Sequence, residues 1–482
     1  MQLSLSNSDW LSILPVLIPS GWAMILLLVD LFVSKERSSL IGWLSLIGIV
    51  STLIALVVFG GQNVSGFNGM VVLDGMSASI GAVGLIATLL TVWVSLNYLR
   101  DRGIERGEYY ALLLFSTSGI LLMAQATNLI VVFLGLELLS IPLYVLAGFA
   151  RPQLDSEEAA IKYFLLGAFA TGFLVYGIAL VYGATGTTDI VRLAEAARTG
   201  RNAALLLVGA GLIIVGLGFK VAAVPFHMWT PDVYEGAPTP VAGFMSVGAK
   251  AAGFAALLRV FLFGLGPVRL DWLPVIASLS ALTMILGNVV ALAQTNLKRM
   301  LAYSSIAHAG YMLMGVATGS RAGLAAVLFY LLAYAFTNLG AFAVLVVMAR
   351  RESEDQTFHQ YAGLMRKHPW LAAAMSLFML SLTGIPPTGG FFGKYYVFLA
   401  AVNANLGWLA IIGVVTSVIS AFFYLRVIVD MTMREPERPV PGRIYPALIT
   451  TLAVTVLGTL VLGVWPEPWL QLARVGLELF GG

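Results

Sequence analysis

Apolar runs of about 20 residues recur along the whole 482-residue chain and are separated by short polar stretches. A helix of about 20 residues crosses the roughly 30 Å of hydrocarbon in a bilayer, because each residue rises about 1.5 Å. The pattern therefore predicts an all-α polytopic membrane protein, and no strand pattern is found between the runs. We count about 14 spans, near 11–33, 39–60, 72–99, 109–126, 128–149, 160–183, 203–224, 240–264, 272–293, 300–318, 322–348, 370–400, 406–429 and 444–465.

Two of these spans carry helix-breaking residues. The twelfth contains GIPPTGG just before Lys394, and in the seventh Lys220 is followed by Pro225 within GFKVAAVPFHMWTPD. Proline removes a backbone donor and breaks a helix in its interior. Spans 4–8 and 9–13 each hold five spans, and in both sets the fourth span is the broken one. Because five is odd, the second set enters the membrane from the opposite side, as in an inverted repeat.

This pattern predicts four parts of the chain. Residues 1–108 form helices 1–3, residues 109–264 the first inverted repeat with helices 4–8, residues 265–433 the second with helices 9–13, and residues 434–482 the C-terminal helix 14. Helices 7 and 12 are the broken ones.

The composition agrees with a membrane location. Hydrophobic residues make up 59% of the chain and charged residues 11%, whereas soluble domains carry about 25% charged residues. The chain has no cysteine, which excludes disulfides and thiolate-held zinc or iron–sulfur clusters. Two of the four histidines, His359 and His368, lie in a hydrophilic loop, so a pair of haem ligands within the membrane is not expected. We therefore expect no cofactor and no metal in this chain.

The Lys and Arg residues of the loops are concentrated on one side of the predicted membrane topology. With the N-terminus outside, the inner loops hold 15 Lys and Arg residues and the outer loops hold 6. The excess of Lys and Arg on the inner side predicts that both termini face outside. The small net charge of +3 reflects this topology and does not indicate nucleic-acid binding. The predicted location is the inner (plasma) membrane of a bacterium, or the thylakoid or organelle inner membrane for a photosynthetic or eukaryotic source.

Six Lys and Arg residues fall inside the predicted spans. Four of them are lysines, out of only seven lysines in the chain, whereas the loops mostly use arginine. Lysine can give up its proton in a protein and arginine cannot. The distribution therefore places side chains that can release a proton within the membrane. The six are Lys162, Lys220, Lys250, Arg259, Lys394 and Arg426.

Four deep residues are the main candidates. Glu137 lies nine residues into its span, so it must face protein or water and have a partner, or else be a protonated side chain bound to a neighbouring helix. Lys250 is surrounded by Gly and Ala; the alternative is that its amine reaches the membrane surface. Lys220 and Lys394 lie near breaks where freed carbonyls can solvate an amine, and their alternative is a structural role at a helix end.

Three further residues are weaker candidates. Lys162 and Lys298 lie near predicted span ends, so each can also be a cation that anchors the chain at the inner interface. His308 lies ten residues deeper than Lys298 on the same segment, and a lone buried histidine can also be a satisfied core residue.

Three stretches carry a resemblance to a known family: GFKVAAVPFHMWTPDVYEGAPTPV, NLKRMLAYSSIAHAGYMLMG and LTGIPPTGGFFGKYYVF. They resemble the antiporter-like membrane subunits of respiratory complex I, the proton-pumping NADH:quinone oxidoreductase (NDH-1). Within that family, HMWTPDVYEGAPTP and the lysine of FFGKYY are similar to the subunit N type, called subunit 2 in mitochondria. The M type typically carries glutamate at the latter position, and the L type adds a long lateral helix.

The resemblance implies a fold and a function. The fold would have 14 helices in two inverted repeats with helices 7 and 12 broken. Glu137, Lys220, Lys250 and Lys394 would transfer protons, supported by Lys162, Lys298 and His308. Movement of Glu137 relative to Lys220 would switch that lysine between holding and releasing a proton.

The resemblance also implies partners. These would be the other membrane-arm subunits, including adjacent antiporter-like subunits, together with lipids and a quinone that is reduced elsewhere in the complex. The chain itself would bind neither NADH nor flavin. Two alternatives stay open at this point: a stand-alone or Mrp-type cation/proton antiporter subunit, and a scaffold that conducts no ions.

Overall fold

The computed structural model describes residues 6–34, 38–200, 202–349, 356–435 and 445–478, and most of them are helical. Of the helices in these ranges, twelve are long and apolar enough to cross a membrane. The all-α polytopic class is therefore confirmed. The helices of the first half are α1 (Asn7–Asp30), α2 (Ser39–Phe59), α3 (Gly75–Arg102), α4 (Gly107–Gln125), α5 (Leu129–Ala147), α6 (Leu154–Thr185), α7 (Ile190–Arg198), α8 (Ala203–Val221), α9 (Trp229–Gly236), α10 (Thr239–Phe244) and α11 (Lys250–Leu257).

The second half of the chain is also helical. Its helices are α12 (Arg269–Leu292), α13 (Leu297–Ala317), α14 (Arg321–Met348), α15 (Leu364–Lys367), α16 (Pro369–Thr383), α17 (Gly389–Asn403), α18 (Gly407–Met433), α19 (Pro446–Val464) and α20 (Glu467–Glu478). The most buried spans are the continuous helical stretch Thr239–Gly264 and α14, which form the centre of the bundle.

The twelve qualifying helices match twelve of the 14 predicted spans. The tenth predicted span corresponds to α13, which carries Lys298, Arg299 and His308 and so is less apolar than the others. The twelfth corresponds to α16 and α17, two helices of 15 residues each. The count of 14 stays a prediction.

A small hairpin follows α2, in a stretch where no strand was predicted. Strands β1 (Val64–Gly66) and β2 (Val71–Leu73) pair antiparallel, with Val64 opposite Leu73. At the turn, Asn68 has φ 54° and Gly69 has φ 84°, conformations that asparagine and glycine adopt more readily than other residues. Strands of three residues are too short for the alternation that marks a strand in a sequence. The expectation of no strand was therefore wrong here.

The helix is interrupted at both predicted positions. After α8, Ala222 takes a left-handed conformation with φ 62°, and the short helix α9 follows. After α16, Gly384 has φ 91° and α17 begins at Gly389. A third irregularity was not predicted: π-helical segments, Met245–Ala249 and Leu258–Gly264, flank α11 on both sides. Such π segments are frequent at functional sites.

Two pairs of backbone hydrogen bonds, which we call cross-ties, each join the start of a helix to a segment far along the chain. Residues 127–129 form a pair of backbone hydrogen bonds with residues 188–190, at 2.8 and 2.9 Å. Residues 295–297 do the same with residues 356–358, at 2.8 and 3.2 Å. In both ties an asparagine side chain caps the helix that follows, α5 or α13.

Candidate functional site

Lys220 lies in the last turn of α8 and is almost completely buried. Its Nζ donates to Ser140 Oγ at 2.8 Å and to the Tyr163 hydroxyl at 3.2 Å. The Tyr163 ring, which stacks on Trp229 with ring centres 4.5 Å apart, also lies 5.6 Å from the amine. The amine is thus held by neutral hydroxyls from α5 and α6.

Glu137 lies on α5, one turn before Ser140. Its Oε1 accepts a hydrogen bond from Thr171 Oγ1 at 2.8 Å, so the carboxyl group is bound to a neutral hydroxyl on the neighbouring helix α6. Glu137 and Lys220 form no direct ion pair. Instead, a small cavity of about 10 Å³ is lined by Ser140, Thr171 and Lys220, which is room for about one water molecule.

Lys250 lies within the most buried of the candidate membrane spans. It begins α11 directly after a π-helical segment and is 1% exposed. Its Nζ donates to the backbone carbonyl of Ser305 on α13. Because every residue of the most apolar stretch of this helix is buried, the amine cannot reach the membrane surface. The alternative that the Lys250 side chain extends to the membrane surface is therefore excluded.

Helix α13 carries a row of polar groups from Lys250 toward Lys394. Ser305, His308 and Tyr311 follow one another at steps of three residues, so they lie close to one face. His308 Nδ1 is 2.7 Å from the Tyr330 hydroxyl, and Nε2 is 3.1 Å from the Tyr424 hydroxyl. Both ring nitrogens are thus engaged, and the ring can pass a proton from one nitrogen to the other.

Lys394 lies in the second turn of α17, beside the break after α16. Its Nζ donates to the carbonyls of Leu382 and Thr383 at 2.9 and 2.8 Å, and to Ser417 Oγ at 2.8 Å. The amine also lies 4.9 Å from the centre of the Tyr311 ring. These two carbonyls are among the last of α16, which have no partner within their own helix. The break therefore supplies the solvation of the amine.

Lys162 and Lys298 take different positions near the predicted inner side. Lys162 is half exposed and bridges Glu158 at 2.6 Å and Asp232 at 2.7 Å. Lys298 is fully buried, and its Nζ donates to the carbonyls of Glu235 at 3.0 Å and Ala237 at 2.6 Å. Lys298 is therefore not an exposed interfacial anchor, whereas Lys162 has the surroundings expected of one.

The structure brings most of the predicted residues into one connected set. Glu137 lies on α5 and Lys220 lies on α8. The Lys220 amine reaches α5 at Ser140, one turn after Glu137. Gly253, one turn after Lys250, packs against the Lys220 side chain, so that a β-carbon there would lie 3.5 Å from Lys220 Cβ. The polar row on α13 then continues to Lys394. Sequence reasoning missed the hydroxyl partners, because Ser, Thr and Tyr are common in apolar helices and no spacing marks those that bond a titratable side chain. Lys220 and Lys394 bond Ser140, Tyr163 and Ser417, Glu137 bonds Thr171, and His308 bonds Tyr330 and Tyr424.

A buried ion pair was also missed. Arg259 Nη2 lies 2.9 Å from both carboxylate oxygens of Asp74, and Arg259 Nε donates to the carbonyl of Ala124 at 2.7 Å. Both side chains are almost fully buried. The ion pair joins the second π segment, which carries Arg259, to the start of α3. The bond from Arg259 to Ala124 joins the same segment to the end of α4. Asp74 also caps α3, since its side chain accepts a hydrogen bond from the backbone N–H of Ser77.

Replacing Asp74 by asparagine is expected to destabilise the protein by about 3–5 kcal/mol, because Arg259 would remain as an uncompensated buried charge. Thermal unfolding of the detergent-solubilised protein is the measurement. The double variant Asp74→Asn, Arg259→Met is expected to recover much of the lost stability. A single variant with unchanged thermal stability would show that the pair contributes little.

Comparison with known proteins places this arrangement in a family. Residues 126–420 match the family model of the NADH:quinone oxidoreductase/Mrp antiporter transmembrane region. The chain is 50% identical over 477 residues to NADH-quinone oxidoreductase subunit N 2 of Roseiflexus castenholzii, covering 97% of this chain and 96% of the relative. It is 49% identical over 487 residues to subunit N of Chloroflexus aggregans, covering 100% and 99%. The chain belongs to the NADH:quinone oxidoreductase/Mrp antiporter family of membrane subunits.

Within that family the full-length similarity is to the members named subunit N. A chain of respiratory complex I from Thermus thermophilus, solved with bound aureothin, aligns with a TM-score of 0.82 at 37% identity and covers 95% of this chain and 99% of that one. A chain of the Mrp complex from a Dietzia species aligns with a TM-score of 0.84 at 24% identity, covering 96% and 97%. The second likeness shows a shared fold alone.

Proposed function

We propose that this chain is the proton-translocating, antiporter-like subunit N of the membrane arm of an NADH:quinone oxidoreductase, complex I or NDH-1. One observation carries the proposal. Three lysines, Lys220, Lys250 and Lys394, are buried within the helix bundle with their amines held by neutral oxygens. A buried amine without a carboxylate partner exchanges its proton more readily than one in an ion pair.

In this proposal the chain carries no redox group. Quinone reduction elsewhere in the complex drives the changes in protonation here, and adjacent antiporter-like subunits and lipids surround the chain. The protein is then an enzyme subunit whose own contribution is proton transfer. The relatives named subunit N support this choice over a stand-alone or Mrp-type cation/proton antiporter.

The proton path follows the connected set of side chains. Glu137 acts on Lys220 through Thr171, which bonds Glu137 and lines the small cavity beside Lys220. Lys220 exchanges with Lys250 across the contact of α8 with α11. Lys250 then exchanges with Lys394 along the polar row of α13, in which His308 is the titratable member. Lys162 and Lys298 support the path near the inner side.

We also propose the inverted-repeat organisation, with residues 109–264 and 265–433 as the two units. The two cross-ties support it, because each joins the start of the second helix of a unit to a segment that follows the third helix. The breaks after α8 and α16 support it as well, since both are followed by a short irregular segment and another helix within the same unit.

Glu137→Gln is expected to lower proton pumping severalfold with assembly intact, because the charge that favours a protonated Lys220 is removed. Glu137→Asp keeps the charge with a shorter reach and is expected to be milder. Pumping by the purified complex in proteoliposomes is the measurement. Thr171→Val, which removes only the bonding hydroxyl, is expected to fall between wild type and Glu137→Gln. Equal pumping by all three variants and wild type would contradict a role for this pair.

The proposed location is the plasma membrane of a bacterium, with both termini outside. A cysteine at Ser65, an exposed position in β1, is expected to react with a membrane-impermeant thiol reagent added from outside. The chain has no cysteine of its own, so other residues of this subunit cannot contribute to the labelling. A cysteine at the exposed Lys367 serves as the control for the opposite side. Labelling of position 65 from inside would contradict the orientation.

Assembly is tested by purifying the native complex through a tag on this chain. We expect subunits of an NADH:quinone oxidoreductase, including those that hold flavin and iron–sulfur clusters, to purify with it. Recovery with cation/proton antiporter subunits alone would favour the Mrp-type alternative.

A further inference from the structure

A charged cavity of about 300 Å³ lies where α6, α9 and α13 meet. Lys162 and Arg299 both bind Asp232 across it, at 2.7 and 2.8 Å, and Arg299 also binds Glu235 at 2.7 Å. Several of these side chains are more than one third exposed, so the cavity is accessible to water. Its charged lining consists of Asp155, Glu158, Lys162, Asp232, Glu235 and Arg299.

One face of helix α9 lines this cavity. Asp232 and Glu235, three residues apart, face the cavity. Thr230 and Tyr234, four residues apart, lie on the opposite face, since they are offset from Asp232 by two residues and a helix turns by about 100° per residue. Both are fully buried. This short helix therefore has one charged face and one face of buried hydroxyls.

The buried face meets a group of hydroxyls from three helices. Tyr234 of α9 and Tyr334 of α14 both interact with the Ser305 hydroxyl of α13. In the described part of the chain, none of these three hydroxyls has a partner at full hydrogen-bond geometry. The carbonyl of the same Ser305 accepts from Lys250. Buried hydroxyls are normally satisfied by protein or by bound water, so this group is suited to bind water beside the amine of Lys250.

Lys298 lies between the charged cavity and this hydroxyl group. Its amine binds the carbonyls of Glu235 and Ala237, at the end of α9. Ser305 follows it by seven residues on α13, which is two turns on the same face of the helix.

From this arrangement we propose that water bound by the hydroxyls of Tyr234, Ser305 and Tyr334 carries protons between the charged cavity and Lys250, past Lys298. Each member accepts a proton from one neighbour and gives one to the next, so no electron moves and no bond other than O–H or N–H changes. The inference rests on the proposed proton-transfer function and adds the route by which the central lysine reaches the aqueous phase. Tyr234 is a positioning residue of that route.

The first experiment is Tyr234→Phe in the complete complex, which removes the hydroxyl and keeps the ring that packs on Trp229 and Phe342. We expect pumping to fall by about tenfold, because the water that carries the proton loses one of the three hydroxyls that hold it in place. The matched control is Tyr110→Phe. Tyr110 is another fully buried tyrosine whose hydroxyl has no partner among the described residues, and it lies on α4, away from Lys250. That variant is expected to pump normally.

The second experiment is hydroxyl-radical footprinting of the unmodified complex, which labels side chains next to water and does not depend on pumping. Tyr234 and Tyr334 are expected to be labelled several times faster than Tyr110. Labelling no faster than Tyr110 would overturn the inference whatever the variants do. Normal pumping by Tyr234→Phe would also overturn it; if Lys250 variants have lost pumping in that case, the proposed function of the subunit stands without this route.

Discussion

Replacing Lys394 by alanine is expected to leave an assembled complex and to reduce proton pumping by at least about tenfold. The amine is the group that links the polar row of α13 to the break between α16 and α17. Alanine removes it while leaving the two carbonyls of α16 to bind water in the space that opens. Pumping by proteoliposomes, normalised to the amount of assembled complex, is the measurement.

The comparison with Lys394→Arg separates charge from proton exchange. Arginine keeps the positive charge and can bind the same carbonyls, but it does not release a proton in proteins. We therefore expect this variant to assemble as well as wild type and to pump as poorly as Lys394→Ala. Normal pumping by either variant would show that Lys394 is a structural cation at a helix end.

Lys250→Met is expected to have an effect of the same size, because it removes the amine that links Lys220 to the polar row of α13 in the proposed path. Methionine is unbranched and fills a lysine-shaped space without a charge. Exchanging a buried charge for an apolar side chain of similar volume is often neutral or stabilising, so the complex should assemble with at least normal thermal stability.

The control for this variant is Lys367→Met, at an exposed lysine of α15, which is expected to pump normally. Stable assembly together with lost pumping would assign Lys250 a functional role. Normal pumping by Lys250→Met would remove the central step of the proposed path.

The sequence predicted the architecture well, because a membrane imposes long apolar helices and makes every exception visible. Pro386 and Pro387 with the following glycines indicated the break beside Lys394, and the structure places the break between Thr383 and Gly389. The depth of Lys250 followed from its distance to the ends of its span. Each of these predictions depended on residues whose presence in hydrocarbon requires an explanation.

The parts that could not be predicted depend on contacts between distant segments. Glu137 was expected to act on Lys220, but nothing in the spacing of Thr171 or Ser140 marks these residues as the hydroxyls that bind the two side chains. The π-helical turns around Lys250 change which face its amine presents, and local sequence gives no signal for them. The pairing of Asp74 with Arg259 joins residues 185 positions apart. Such geometry is set by tertiary packing.

The three partners of Lys394 also suit its deprotonated form. A charged amine offers three donors, and the structure provides three acceptors: two carbonyls, of Leu382 and Thr383, and the hydroxyl of Ser417. A neutral amine has two donors and one lone pair. The carbonyls can keep the two donors, and the hydroxyl can rotate and donate its own hydrogen to the lone pair. Departure of the proton then requires the rotation of one hydroxyl and no movement of the backbone. The helix break can therefore bind Lys394 in both its protonated and its neutral form.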